Sequence, residues 1–298
     1  MKSKVFPGII IFLFFLLTNL NSQDLIQQAE NLYKNEKYDD VLKICLKISQ
    51  IYPKSDWELA AHQIAAKVYE KRKQLEKAIE EYKKIITNFN DYIQVEEAYF
   101  SIARIRMLMN QDANAIKAYE TYLQKFPNGK YNILAIFNMG LIYKTNGNFT
   151  AALNKFNEII RYYNNDLWFY NWAAIYSGHI YAEKGDYDKA IEYYDRVVKR
   201  DKDNSMYSLA LLYKGRVFIQ KKDYKTAQMV FQQILKLSSA FSEEAMIGLA
   251  DAYYKAGEYE LANEIYQSLI EIYPSTVWKN YVENELKKLK NLLKKIKE

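Results

Sequence analysis

The sequence has few of the residues that carry most catalytic and cross-linking chemistry. It contains one cysteine, Cys45, and two histidines, His62 and His179, which lie far apart in the chain. A single cysteine excludes an internal disulfide, and the two histidines do not have the spacing of a zinc site. Glycine-rich phosphate loops and the common nucleophile and metalloprotease motifs are also missing. The sequence therefore predicts a protein that is not an enzyme and that needs no metal or cofactor.

Proline and glycine are scarce as well, at four and nine residues, whereas half of the 298 residues are hydrophobic and about a quarter are charged. This composition is typical of a folded, strongly helical protein with enough apolar residues for a large core. The formal net charge of +6 is only a mild excess of positive charge. Such an excess does not by itself favour a nucleic-acid ligand, and none is predicted.

The one long apolar run lies at the N-terminus. Lys2 and Lys4 precede an apolar stretch from Val5 to Leu17, which is shorter than the about 20 residues that a membrane-spanning helix needs. A positive start, a short apolar region and a polar exit that ends in the small residue Ser22 are typical of a secretion signal. We therefore expect residues 1–22 to direct export to the periplasm or cell envelope. If this segment is not cleaved, it would associate the chain with the membrane as an anchor.

The remaining chain repeats itself about every 37 residues. A small residue recurs at this interval, here named the second small position: Val41, Ala78, Ala115, Ala152, Ala190, Ala227 and Ala262. Four residues later comes the aromatic position: Cys45, Tyr82, Tyr119, Phe156, Tyr194, Phe231 and Tyr266. Twelve residues before the second small position comes the first small position: Ala29, Ala66, Ala103, Gly140, Gly178, Gly215 and Ala250. Agreement of three columns in seven copies indicates a repeat architecture and accounts for part of the high tyrosine content.

The pattern of each copy predicts two antiparallel helices. Gly185 can end a first helix in the left-handed conformation, and Asp186 can cap the second helix. Gly147, Gly257, Asn148 and Asp223 occupy the corresponding positions in other copies. Small residues let the two helices approach closely, and the aromatic residue fills the space beside them. The nearly identical segments 51–57 and 272–278 are joints between copies, because their proline stops one helix and Ser55 can cap the next.

The pattern of Gly178, Tyr181, Ala190 and Tyr194 resembles the tetratricopeptide repeat, and prolines at several joints add to the resemblance. It covers the chain from residue 23 onward and implies an all-α, right-handed superhelical solenoid of about seven helix pairs in residues 23–276. The longer unit and the proline joints also resemble repeats of bacterial envelope proteins, such as the outer-membrane assembly lipoprotein BamD and the Tol-Pal-associated periplasmic protein. The chain departs from the BamD family because it lacks a cysteine at the signal junction.

A last helix is predicted in residues 277–298, with no second helix to pair with. Its apolar stripe consists of Leu286, Leu289, Leu293 and Ile296. Its other face carries Lys287, Lys288, Lys290, Lys294 and Lys295. We expect the stripe to cover the last repeat as a cap, as an open-ended stack requires. A basic helix at a membrane surface is the alternative.

The resemblance implies that the first helices line a concave groove that binds a protein or peptide partner. The groove positions of the family carry, in this chain, Phe100, Arg104, Phe137, Trp172, His179, Leu212 and Arg216. Aromatic side chains and arginine are the residues from which interface hot spots are usually drawn. We expect the two arginines and His179 to act as cations, whereas the apolar members could instead pack between repeats.

The sequence thus predicts a non-catalytic scaffold of the bacterial cell envelope that binds a protein or peptide partner. The alternative ligand is a glycan or peptidoglycan stacked on exposed tyrosine and tryptophan rings. Neither the identity of the partner nor the oligomeric state follows from the sequence, because repeat surfaces recognise a partner by shape and charge and contain no motif that identifies it.

Overall fold

The computed structural model describes residues 22–89, 93–200 and 205–297. Within these ranges there are fifteen helices and no strand, which confirms the predicted all-α class. The helices are α1 (22–34), α2 (Tyr38–Ile51), α3 (Asp56–Lys71), α4 (Leu75–Asn88), α5 (Gln94–Leu108), α6 (Asp112–Lys125), α7 (Asn132–Thr145), α8 (Phe149–Tyr162), α9 (Leu167–Glu183), α10 (Tyr187–Arg200), α11 (Ser205–Gln220), α12 (Tyr224–Lys236), α13 (Ser242–Ala256), α14 (Tyr259–Ile272) and α15 (Lys279–Lys297). The predicted signal, residues 1–22, lies outside the described residues except for Ser22.

The helices form a solenoid of antiparallel pairs, in which α1 to α13 with odd numbers are first helices and α2 to α14 with even numbers are second helices. The chain divides into two compact units, of which the first ends at Ala135 and the second begins at Ile136. Each unit has its own hydrophobic cores.

The predicted packing columns form these cores. Every residue of the second small position is fully buried, and every residue of the aromatic position is buried. Gly178 shows why the first small position must stay small, since a Cβ there would lie 2.5 Å from the Tyr194 ring. Gly140 and Gly215 meet Phe156 and Phe231 in the same way. The columns therefore set the distance between the two helices of a pair.

The turns inside the pairs confirm the predicted glycines and caps. Gly147, Gly185 and Gly257 have positive φ values of 73°, 77° and 83°. The side chains of Asn148 and Asp223 accept the backbone N–H groups that open α8 and α12, each at 3.2 Å. These bonds satisfy donors that a helix N-terminus leaves without a partner.

Four turns adopt the same left-handed geometry without glycine. Glu36, Lys73, Asn110 and Lys222 stand at the corresponding place, with φ between 57° and 64°. A side chain with a Cβ is less stable in this region than glycine, by about 1–2 kcal/mol. The turn is therefore imposed by the packing of the helix pair and does not depend on a permissive residue.

The C-terminal helix α15 packs on α14 through Leu286 and Leu289 of its predicted stripe and through Val282, which the prediction did not include. Val282 and Leu289 are fully buried and Leu286 is half-buried, in one cluster with α13 and α14. Ile296 is 58% exposed, so its expected place in the packed stripe is wrong. Among the described residues, no helix other than α14 packs broadly on α15, and its last turn is left uncovered.

Candidate partner-binding site

The first helices of the second unit carry a row of ring side chains. Trp168, Trp172 and Tyr176 lie one helical turn apart on α9, with centroids 6.3 Å and 5.6 Å apart. The ring of His179 follows at 6.0 Å from Tyr176, and Tyr213 of α11 lies 4.2 Å from His179. We name these five residues the aromatic row. Spacing of four residues on a helix places side chains on one face, which is why α9 aligns them.

The row is open to solvent on one side and supported on the other. Trp168 is 56% exposed, while Trp172, Tyr176 and Tyr213 are half-buried. Phe137 of α7 is buried beneath them, 5.9 Å from both Trp168 and Tyr176. Rings held in this way expose apolar area with little side-chain freedom left to lose on binding, which favours an interface role.

Two cations flank the row. The Lys144 Nζ lies 5.9 Å from the centroid of the Tyr176 ring, and the Arg216 guanidinium lies 5.8 Å from that of Tyr213. Among the described residues, neither forms an ion pair with a carboxylate. Cations over ring faces keep their charge available to a ligand while their stems stay ordered.

Carboxylates are almost missing from the helices that carry this surface. Helix α9 has one, Glu183, which is its last residue, and α11 has none. The part of α7 that belongs to the second unit, residues 136–145, also has none. On these helices Lys144, Lys214 and Arg216 outnumber the carboxylates, and an excess of positive charge favours a neutral or acidic ligand over a basic one.

His179 differs from the sequence interpretation, because it is not a cation at neutral pH. Burial, followed by the positive charges of Lys144 and Arg216, lowers its pKa to about 4. Its Nε2 atom is buried and has no hydrogen-bond partner among the described residues. The imidazole thus acts as a neutral ring of the aromatic row.

The predicted apolar residues of the second unit are mostly internal. Leu212 and Phe137 are buried, as the alternative of packing between repeats predicts. Trp172, His179 and Arg216 come together along the aromatic row. The residues that the sequence interpretation missed are Trp168, Tyr176, Tyr213 and Lys144, although the four-residue spacing of the three α9 rings is readable in the sequence.

Phe100 and Arg104 lie in a cleft of about 700 Å³ in the first unit, lined in part by Glu70, Tyr82 and Tyr131. Arg104 forms an ion pair with Glu70 at 2.5 Å, and Tyr82 donates a hydrogen bond to the same carboxylate at 2.9 Å. Arg104 therefore has an internal ion-pair partner, while its side chain remains 36% exposed.

Phe100 is buried and stacks on Tyr131, with centroids 4.5 Å apart and planes 15° apart. Exposed Lys67, Lys71 and Lys73 also line the cleft. Because Arg104 is paired with Glu70 and Phe100 is buried, the cleft offers a partner mainly these lysines, beside half-buried Glu97.

The other histidine and the cysteine, His62 and Cys45, lie within the packed helices, away from these two surfaces. His62 lies with its Nδ1 atom 2.6 Å from Glu81, and Cys45 is buried, with burial followed by the charge of Glu81 raising its pKa to about 12. Within the described residues, no group of three or more histidine, cysteine or acidic side chains could hold a metal ion. The helices described here include none with the length and apolar content that crossing a bilayer requires.

Family models of the tetratricopeptide repeat match residues 59–91, 97–129, 169–204 and 218–280, which together make up more than half of the chain. The chain is therefore a tetratricopeptide-repeat protein. Repeats of this kind form scaffolds for protein interactions. Comparison with curated protein sequences finds no significant match.

Solved structures agree with this assignment at the level of the fold. The C-terminal part of a tetratricopeptide-repeat protein from Cytophaga hutchinsonii has a TM-score of 0.65 and 17% identity, over 88% of this chain and 99% of that one. A tetratricopeptide-repeat protein from Parabacteroides merdae has a TM-score of 0.54 and 12% identity, over 90% of this chain and 98% of that one.

Proposed function

We propose that this protein is a non-catalytic scaffold that holds a protein or peptide partner in the bacterial cell envelope. The observation that carries the proposal is the aromatic row of the second unit, with exposed Trp168 at one end and the cations Lys144 and Arg216 over its rings. Exposed, ordered aromatic rings with arginine are the composition of interface hot spots. The partner segment that fits is extended or helical, acidic, and carries apolar side chains.

A glycan is the second candidate ligand, because sugar rings also stack on tryptophan. Sugar recognition needs side chains that hydrogen-bond to hydroxyl groups beside the stacking rings. The flanking cations Lys144 and Arg216 can donate to hydroxyl oxygens, but α11 has no carboxylate and α9 has only Glu183 to accept from hydroxyl groups. These features favour an acidic peptide. Calorimetry with soluble cell-wall fragments tests the alternative, and binding that is lost in Trp172→Ala would support it.

Location in the envelope rests on the sequence of residues 1–22. A cleaved signal gives a mature chain that begins near Gln23 and is released with the soluble periplasmic fraction. A full-length product that leaves the membrane only in detergent would indicate an uncleaved anchor. The resemblance to BamD-like and Tol-Pal-associated proteins stays a prediction, and no partner is carried over from it.

Crosslinking in cells tests the binding surface. A photo-reactive amino acid at Trp168 is compared with the same residue at Met229, which is 55% exposed on the second helix α12 and so matches Trp168 in exposure. We expect one defined protein adduct from position 168 and none from position 229. Equal adducts from both positions, or an adduct from position 229 alone, would contradict the assignment of the surface.

A further inference from the structure

The helix α15 concentrates positive charge at one end of the second unit. It contains seven lysines and two glutamates, and the sequence from residue 286 to 298 contains six of the lysines and one glutamate, Glu298. Within the helix, Glu285 pairs with Lys288 at 2.6 Å. The last three turns of the helix are therefore strongly cationic.

Apolar side chains interrupt these lysines on the uncovered side. The helix is held to the unit by Val282 and Leu289, which are fully buried. Beyond them, Leu292 and Leu293 are half-buried and Ile296 is 58% exposed. Outside the face that packs on the unit, the end of α15 thus exposes apolar side chains among its lysines, so this second surface is amphipathic as well.

A groove of about 580 Å³ runs between α14 and α15. Lys287, Lys290 and Lys294 line one wall, and the amides of Asn263 and Gln267 line the other. Leu286 and Leu293 complete the lining, in which the described residues include no carboxylate. The groove therefore suits anionic groups that carry apolar chains.

We propose that the end of α15 docks on an anionic phospholipid surface, with lysines on the headgroup phosphates and Ile296 at the boundary of the acyl chains. Charge complementarity carries the choice of ligand. Every cation of residues 286–297 is lysine, a flexible point charge whose apolar stem lies along the interface while the ammonium reaches the phosphates. Recognition of acidic protein segments would favour the planar, bidentate arginine.

The strength expected of this contact follows from the number of lysines. Each lysine near an anionic bilayer contributes about a fivefold factor in partitioning. Replacement of Lys287, Lys290 and Lys295 by glutamine should therefore reduce binding about a hundredfold. The contact should also weaken steeply with salt, because the charges that form it are exposed.

Sedimentation with vesicles tests the proposal on the full chain. Vesicles of phosphatidylcholine with 30 mol% phosphatidylglycerol are compared with pure phosphatidylcholine, and any contribution of residues 1–22, including Lys2 and Lys4, is common to the wild type and the variants. The variants are Lys287→Gln/Lys290→Gln/Lys295→Gln and a control with the same loss of charge on exposed lysines elsewhere in the second unit. The control changes Lys184, Lys199 and Lys225 to glutamine.

We expect the wild type and the control to prefer anionic vesicles, and the α15 variant to lose that preference. The variant Ile296→Asn, which keeps the charge, should weaken binding by several-fold. Equal loss in the control and the α15 variant would overturn the proposal, as would a wild type that binds both vesicles alike. Binding of polyglutamate that depends on the same lysines, without vesicle binding, would replace the lipid with an acidic protein segment. None of these results bears on the crosslink from Trp168.

Discussion

Replacement of Gly178 by alanine tests whether contact between the two helices of a pair fixes the repeat. Alanine would raise helix propensity by about 1 kcal/mol in an exposed helix interior. Here the new Cβ would lie 2.5, 2.8 and 2.9 Å from three atoms of the Tyr194 ring, about 1 Å inside normal contact. Overpacking of this kind costs about 1–3 kcal/mol. We take the upper end, because His179 and Tyr213 hold the ring in place, and expect a net loss of about 2 kcal/mol.

A double-mutant cycle with Tyr194→Leu separates the clash from other effects of the alanine. In the leucine background the clash is removed, so Gly178→Ala should stabilise the protein by up to about 1 kcal/mol. The measurement is urea unfolding followed by far-UV circular dichroism, with hydrogen exchange to locate the change in α9 and α10, because repeats can unfold in parts. A Gly178→Ala effect of the same sign and size in both backgrounds would refute the reasoning.

Three further outcomes follow from named contacts. Lys222→Gly should raise the free energy of unfolding by about 0.5–1 kcal/mol. Glycine removes the backbone strain at φ 64°, and this gain exceeds the entropy that glycine adds to the unfolded chain. A loss of stability in urea unfolding would contradict this. The folded-state pKa of His179 lies below its unfolded value, so stability should fall as the pH drops from about 6.5 to about 4, and His179→Gln should flatten this part of the stability profile. Cys45 should resist a thiol reagent at pH 8 until the chain is unfolded, since burial raises its pKa to about 12; rapid reaction of the folded protein would show that the first unit opens.

The packing of the helix pairs could be predicted because its contacts lie within one repeat and recur in every copy. Ala190, Tyr194 and Gly178 touch within one pair, so their spacing is visible in the sequence and recurs in each copy. The glycine turn at Gly185 is equally local. At Lys222 the same turn has a capping residue, Asp223, but no glycine signal, because the surrounding helices impose the backbone geometry on an ordinary residue.

The candidate sites were harder to predict from the sequence because they depend on contacts between repeats. Arg104 pairs with Glu70, which lies 34 residues earlier on the preceding first helix, and that pairing requires the register between helices. The charge of His179 depends on its burial and on Lys144 and Arg216, which come from other helices. Position in a column identified the helices that carry the surface, but it could not identify which side chains reach solvent.

The most direct test of the central claim is the yield of the crosslink from position 168 when the charges beside the aromatic row are removed. The variant Lys144→Gln/Arg216→Gln is compared with Lys184→Gln/Lys199→Gln, which loses the same charge from exposed positions away from the row. Loss of contacts to an acidic partner should reduce the yield at least about tenfold in the first variant, since truncating a charge contact at an interface can cost about 2 kcal/mol or more. The control should keep the wild-type yield. An unchanged yield in the first variant, or an equal loss in both, would contradict the claim that this surface binds an acidic protein partner.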